Sequence, residues 1–190
     1  MSSFSRKAYL CLMATIFATN GLWAQNAPSS LPKTVNEVFD KSVAGAEKAV
    51  LAIAQAMPAD RYSFAPAAGE FKGVRNFAQM LKHVAVDNYL NGAALLGETP
   101  PVEVGNHENG PDSLIDKDAV LKFVQDSFAY LHKGVRIVTE KNLMQPVSYP
   151  GGGQVTRLTV VMAASAHPWD LYGQMVEYLR MNGIDPQSAH

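Results

Sequence analysis

The chain has 190 residues, 47% hydrophobic and 17% charged, with a formal net charge of −1. That is length for one domain with a sizeable core, in a composition that argues against disorder. Its near-neutral balance gives no electrostatic footprint for nucleic acid, so a nucleic-acid partner is excluded.

The first 24 residues read as a secretory signal peptide. Arg6 and Lys7 form a short basic region, Ala8 to Ala18 an apolar one too short to span a bilayer comfortably, and Leu22-Trp23-Ala24 offers a cleavage position. The alternative is an uncleaved N-terminal anchor. Cleavage predicts an exported protein, periplasmic or secreted, with no membrane association afterwards. Cys11, the only cysteine, falls inside the leader in a context unlike that of a lipoprotein. The mature chain can therefore make no disulfide and has no thiol nucleophile or thiolate ligand. Arg6 and Lys7 are the only charges lost with the leader, which takes the chain from −1 to −3.

Residues 25–33 form a polar, proline-containing linker, and the domain proper spans 34–187. Thr34 with Glu37 makes a capping-box pattern that opens a helix running to about Met57, ended by Pro58 and Asp60. Val35, Val38, Phe39, Val43, Ala46, Val50, Ile53 and Ala54 give it an apolar face at helical spacing. The connection 58–75 carries Tyr62, Phe64 and Phe71, aromatics that predict a segment packed onto the body. A second helix covers Asn76 to about Leu96, with Phe77, Met80, Leu81, Val84 and Leu95 as its core stripe. On one flank of that stripe His83 and Asp87 stand at i and i+4.

Gly, Pro and Asn at close intervals mark a loop from Gly97 to Pro111, with His107 exposed on it. Lys117 to about Lys141 is a third helix, its seam formed by Leu121, Val124, Phe128, Leu131, Val135 and Val138. His132 beside that seam reads as a helix-surface residue near a helix C-terminus. Tyr149-Pro150-Gly151-Gly152-Gly153 is a turn; it lacks the lysine and hydroxyl residue of a phosphate-binding loop and follows no strand. The last helix runs from near Thr156 to about Asn182, closed by Gly183 and Pro186. It is apolar over so wide an arc that partners should enclose it on several sides. His167 and Gln174, at i and i+7, face the same way on it. Pro168 should kink it and leave the Ala164 carbonyl without its helical partner. His190, at the end of the chain, reads as solvated.

Four long amphipathic helices and no convincing strand predict an all-α protein, a four-helix bundle. The first connection and the loop after the second helix are long enough to cross over the bundle, so plain up-down-up-down order is not assured.

Three runs resemble the DinB-like family, the bacterial four-helix bundles that include the YfiT-type metal-dependent hydrolase relatives. They are Met57-Pro58-x-Asp60-x-Tyr62-Ser63-Phe64, then Phe77-Ala78-Gln79-Met80-Leu81-x-His83-Val84-Ala85, and Tyr172-Gly173-Gln174-Met175-Val176-Glu177-Tyr178-Leu179-Arg180-Met181-Asn182-Gly183. The resemblance covers about Thr34 to Pro186. It implies a divalent metal, zinc or nickel, on three histidines, one from the second helix and two from the last. His83 and His167 match two of them. The third position holds Leu171, which has no lone pair to give. Two imidazoles fall short of the three protein ligands of a catalytic zinc site. A carboxylate could fill in. Asp170 lies three residues from His167 and Asp87 one turn from His83. Asp87, Asp170, Leu171 and Gln174 are therefore the candidate pocket around His83 and His167.

Two functions follow. Leu171 favours a bundle with a partly lost histidine triad that binds a small molecule or a partner. The intact His83 and His167 favour the alternative, a metal-dependent hydrolase or transferase completed by a carboxylate or water. A thiol-dependent transferase fits export poorly, since its cofactor is cytosolic. Helices this apolar also predict a homodimer.

Overall fold

The structure is a computed structural model that describes residues 31–68 and 73–189, the last two in backbone only. The leader with Cys11, most of the linker, Phe71 and His190 lie outside the described residues. The chain divides into Met1–Leu31 and Pro32–His190, and the described fold is that of the second unit.

Four long helices form it: α1 (Val35–Ala56), α2 (Phe77–Leu96), α3 (Lys117–Arg136) and α4 (Arg157–Met181). α1 and α2 each pack on both α3 and α4, whereas α1/α2 and α3/α4 stand on the diagonals. The α1–α2 and α3–α4 connections therefore cross the bundle, whereas the loop after α2, just as long, joins neighbouring helices. No described helix is long and apolar enough to cross a membrane.

The most enclosed helix is α2, not α4. On α2 only Gln79, Asp87 and Leu96 escape full burial. On α4 an outer stripe stays open, and Trp169 is 43% exposed. Its ring packs edge-on against Tyr172 at 5.6 Å and passes 3.7 Å from where a Cβ on Gly45 of α1 would stand. α4 runs unbroken through the buried Pro168.

Other departures from the sequence reading have local causes. Thr34 caps nothing with its side chain; Glu37 instead accepts from the Lys33 amide at 2.6 Å, and Glu140 takes the Val35 amide at 3.0 Å. The reciprocal capping box is at the start of α2, where Asn76 and Gln79 satisfy each other's amides. α3 stops at Arg136, short of Lys141. Asn142 turns back there, donating to the Ile137 carbonyl at 2.9 Å and accepting from the Thr139 amide at 2.8 Å. The expectation of no strand also fails. Pro146–Tyr149 (β1) pairs antiparallel with Gly153–Thr156 (β2), Val147 opposite Val155. His132 is not a free surface residue. Its Nδ1 meets Asp40 at 2.5 Å and its Nε2 meets Glu47 at 3.2 Å, which pins α3 to α1.

The end of α4 is a Schellman turn, with Ile184 N–H on the Leu179 carbonyl and Gly183 N–H on that of Arg180, both at 3.0 Å. At the end of α1, the buried Tyr62 donates to the Ala54 carbonyl at 2.7 Å, and Lys117 reaches the carbonyls of Gln55 and Met57, each at 2.7 Å. These groups satisfy the carbonyls a helix C-terminus leaves unpaired. Burial first, and the Asp118 charge second, push the Tyr62 hydroxyl up, so it stays a donor. Tyr62→Phe strands a buried carbonyl, and we expect it to cost about 1–2 kcal/mol. Urea denaturation checks this; an unchanged midpoint would show that the cap contributes nothing.

Candidate metal centre

α2 carries His83 and Asp87 one turn apart, and α4 packs beside it with His167. The three bring ligand atoms within 4.8 Å of one another. His167 Nε2 lies 2.8 Å from Asp87 Oδ2, and His83 Nε2 lies 3.5 Å from the same oxygen. The imidazole rings meet edge to face with centroids 5.5 Å apart. The site is graded in depth: the side chains of His83, Asp87 and His167 are 8%, 16% and 39% exposed.

A loop that the sequence did not mark as part of the site fixes His83. Its Nδ1 lies 3.0 Å from the backbone carbonyl of Glu108. A carbonyl only accepts, so Nδ1 carries a proton, and in the neutral ring it is the lone pair of Nε2 that faces Asp87. Holding that carbonyl in place requires an unusual backbone. His107 and Glu108 both have positive φ, 53° and 57°, a conformation costing roughly 1 kcal/mol or more per residue. At Gly105, with φ 68°, a Cβ would sit 2.2 Å from the Gly110 carbonyl oxygen, so only glycine closes the loop there. Arg75 braces it from outside, bonding the His107 carbonyl and the Asn109 side chain. Strain of this kind persists where the surroundings over-determine it, and it clusters at functional sites.

Asp87 Oδ2 is buried and has no hydrogen-bond donor in good alignment, although His167 Nε2 is 2.8 Å away. The contact is close but lies off the ring N–H direction. It still raises the pKa of His167, chiefly through the Asp87 contact; burial opposes the rise, and the charges of Asp87, Asp170 and Glu108 add to it.

This donor set fits a divalent ion. In a tetrahedral site with bonds of 2.0–2.1 Å, ligand atoms stand about 3.3 Å apart, and the spacings of 2.8 and 3.5 Å bracket that value. A ligand imidazole usually gives its other N–H to a carbonyl or carboxylate, as His83 does to Glu108. Of the other sequence candidates, Leu171 is buried in the core one turn on from His167. Asp170 and Gln174 are exposed and bonded to each other at 3.3 Å. Asp170 reaches His167 only through its charge. His107 is exposed, as expected.

A helical bundle with a His/Asp/His group able to hold a metal ion on its inner face is the class that fold and site define. The model of the DinB superfamily matches residues 43–175, and the chain belongs to that superfamily. Two solved structures share the fold. A DinB-like protein from Bacillus cereus aligns with a TM-score of 0.63 at 14% identity, over 79% of this chain and 93% of that one. A conserved protein from Enterococcus faecalis aligns with a TM-score of 0.62 at 16% identity, over 78% and 97%. No curated protein matches the chain.

Proposed function

We propose that this protein is a metal-dependent hydrolase or transferase whose ion, zinc or nickel, is held by His83, Asp87 and His167. The observation that carries the reading is that one ligand atom from each of His83, Asp87 and His167 lies within 4.8 Å of the other two. With Nδ1 committed to Glu108, a neutral His83 points a lone pair at a carboxylate oxygen that has no aligned donor. Only a cation between them, proton or metal, removes that repulsion. A bound ion would act as a Lewis acid and lower the pKa of a coordinated water. The chain's own residues do the rest: Glu108 orients His83, Asp87 supplies the anionic ligand, and the open edge at His167 gives access. We further infer from the N-terminal segment that the protein works in the periplasm or outside the cell, and from its apolar helices that it pairs as a homodimer.

The test is calorimetric titration of the mature protein with zinc and with nickel; absence of binding by either leaves the metal-free ligand-binding bundle as the better reading. A pH series adds a signature. His167 has a raised folded pKa, so its contribution to metal-free stability is fully present below the usual imidazole value and lost as pH rises through the raised one. Metal uptake requires that same proton to leave. From about pH 6.5 upward, metal-free stability should fall while zinc affinity rises. Parallel trends in the two would refute shared use of His167.

A further inference from the structure

The hairpin brings one more side chain within reach of the charges of Asp87 and Glu108. β1 packs against α2 and ends at the half-buried Tyr149, whose hydroxyl donates to Asn91 Oδ1 at 3.3 Å. Asn91 is buried and stands one turn beyond Asp87, so His83, Asp87 and Asn91 lie along one face of α2. The glycine run is folded around the tyrosine. Gly152 donates its amide to the Tyr149 carbonyl at 3.0 Å, and a Cβ on Gly152 would come within 3.3 Å of the ring. On either side of Gly152, Gly151 and Gly153 take positive φ, 75° and 81°, a conformation that favours glycine.

We propose that the Tyr149 hydroxyl is the hydrogen-bond donor of a ligand subsite beside His83, Asp87 and His167, taking a carboxylate or carbonyl oxygen of a small molecule held on the metal. This rests on the metal-binding reading above. Two further facts support it. Burial, with the charges of Asp87 and Glu108, pushes the Tyr149 hydroxyl up to about 12, so near neutral pH it keeps its proton and serves as a donor, not a base. Its bond to Asn91 is long for an O–H···O contact, whose usual length is about 2.7–2.8 Å. Little is therefore lost when the hydroxyl turns to a better acceptor, and Asn91 acts as its resting partner.

The experiment uses the mature chain loaded with cobalt(II), whose visible spectrum reports ligands on the ion, and acetate as the probe. Tyr149→Phe should weaken acetate binding by roughly 5- to 10-fold, the loss of one hydrogen bond, while cobalt affinity stays within about 2-fold, since the hydroxyl is not a metal ligand. Equal acetate affinity in the two forms overturns the subsite, as does acetate that leaves the wild-type spectrum unchanged. A parallel loss of cobalt affinity in Tyr149→Phe also overturns it, because the tyrosine would then be supporting the metal site and not the ligand. A wild-type chain that takes up no cobalt fails the metal reading itself, and the subsite with it; normal uptake with unchanged acetate binding fails the subsite alone.

Discussion

Asp87→Ala should abolish tight metal binding, lowering zinc affinity by roughly 100-fold or more. Loss of an outer-shell partner alone commonly costs 10- to 100-fold, and Asp87 is one of the three groups that could hold the ion and the anionic one among them. The variant leaves two imidazoles, short of the three protein ligands that hold catalytic zinc. Folding should survive the change. The change gives up the 2.8 Å contact with His167, but the carboxylate is part-exposed and has no well-aligned hydrogen bond to break. Competition against a chromophoric chelator measures the affinity, with circular dichroism as the check on fold. Wild-type zinc affinity in Asp87→Ala would remove this carboxylate from the site.

The helices were legible because their buried positions recur at helical spacing. Val43, Ala46, Val50, Ile53 and Ala54 on α1, and Val124, Phe128, Leu131 and Val135 on α3, are all buried. The same signal misled at the end of α3. Val138 keeps the period and is buried, yet it lies in the turn beyond Arg136, where Asn142 competes for the backbone. The hairpin was invisible for a different reason. Each strand has four residues, one opening on Pro146 and the other on Gly153; the first alternates but is as short as a strand signal can be, and the second does not alternate. For α2, periodicity understated burial: partners surround the helix, so nearly every position is covered whatever its polarity.

The site divides along similar lines. His83 and Asp87 were readable as an i, i+4 pair; His167 stood out with Gln174 on one flank of the last helix, and the family resemblance joined it to His83. Glu108 was not readable, because what matters is its backbone carbonyl, delivered by two non-glycine residues at positive φ. The flanking Gly105 and Gly110 hint only at a loop. Tyr149 was read as part of a turn; its neighbour Asn91 carried no motif, and only the fold places them together. The motif around Tyr62 was recognisable as a pattern, and the structure supplies its physics, the capping of α1.

If His167 and position 171 point to the same ion, histidine at 171 should rescue the Asp87→Ala variant. The two positions are one helical turn apart, the spacing at which paired imidazoles converge on one metal. α4 is continuous through Pro168 between them, so no break in the helix separates the two turns. In Asp87→Ala/Leu171→His, zinc affinity should return to within about 10-fold of wild type, since three protein ligands are restored. The rescue carries a stability cost when metal is absent. Leu171 is buried in the core, and an imidazole there gives up apolar packing and buries a polar ring. We expect a loss of about 2–4 kcal/mol in the metal-free double variant. Zinc at 100 times its dissociation constant should return about 2.7 kcal/mol of that by mass action. A large zinc-dependent rise in melting temperature is therefore the expected mark of the double variant, against almost none in Asp87→Ala alone. If the double variant binds zinc no better than Asp87→Ala, position 171 projects away from the ion. Asp87 would then be the only route by which this chain completes its site.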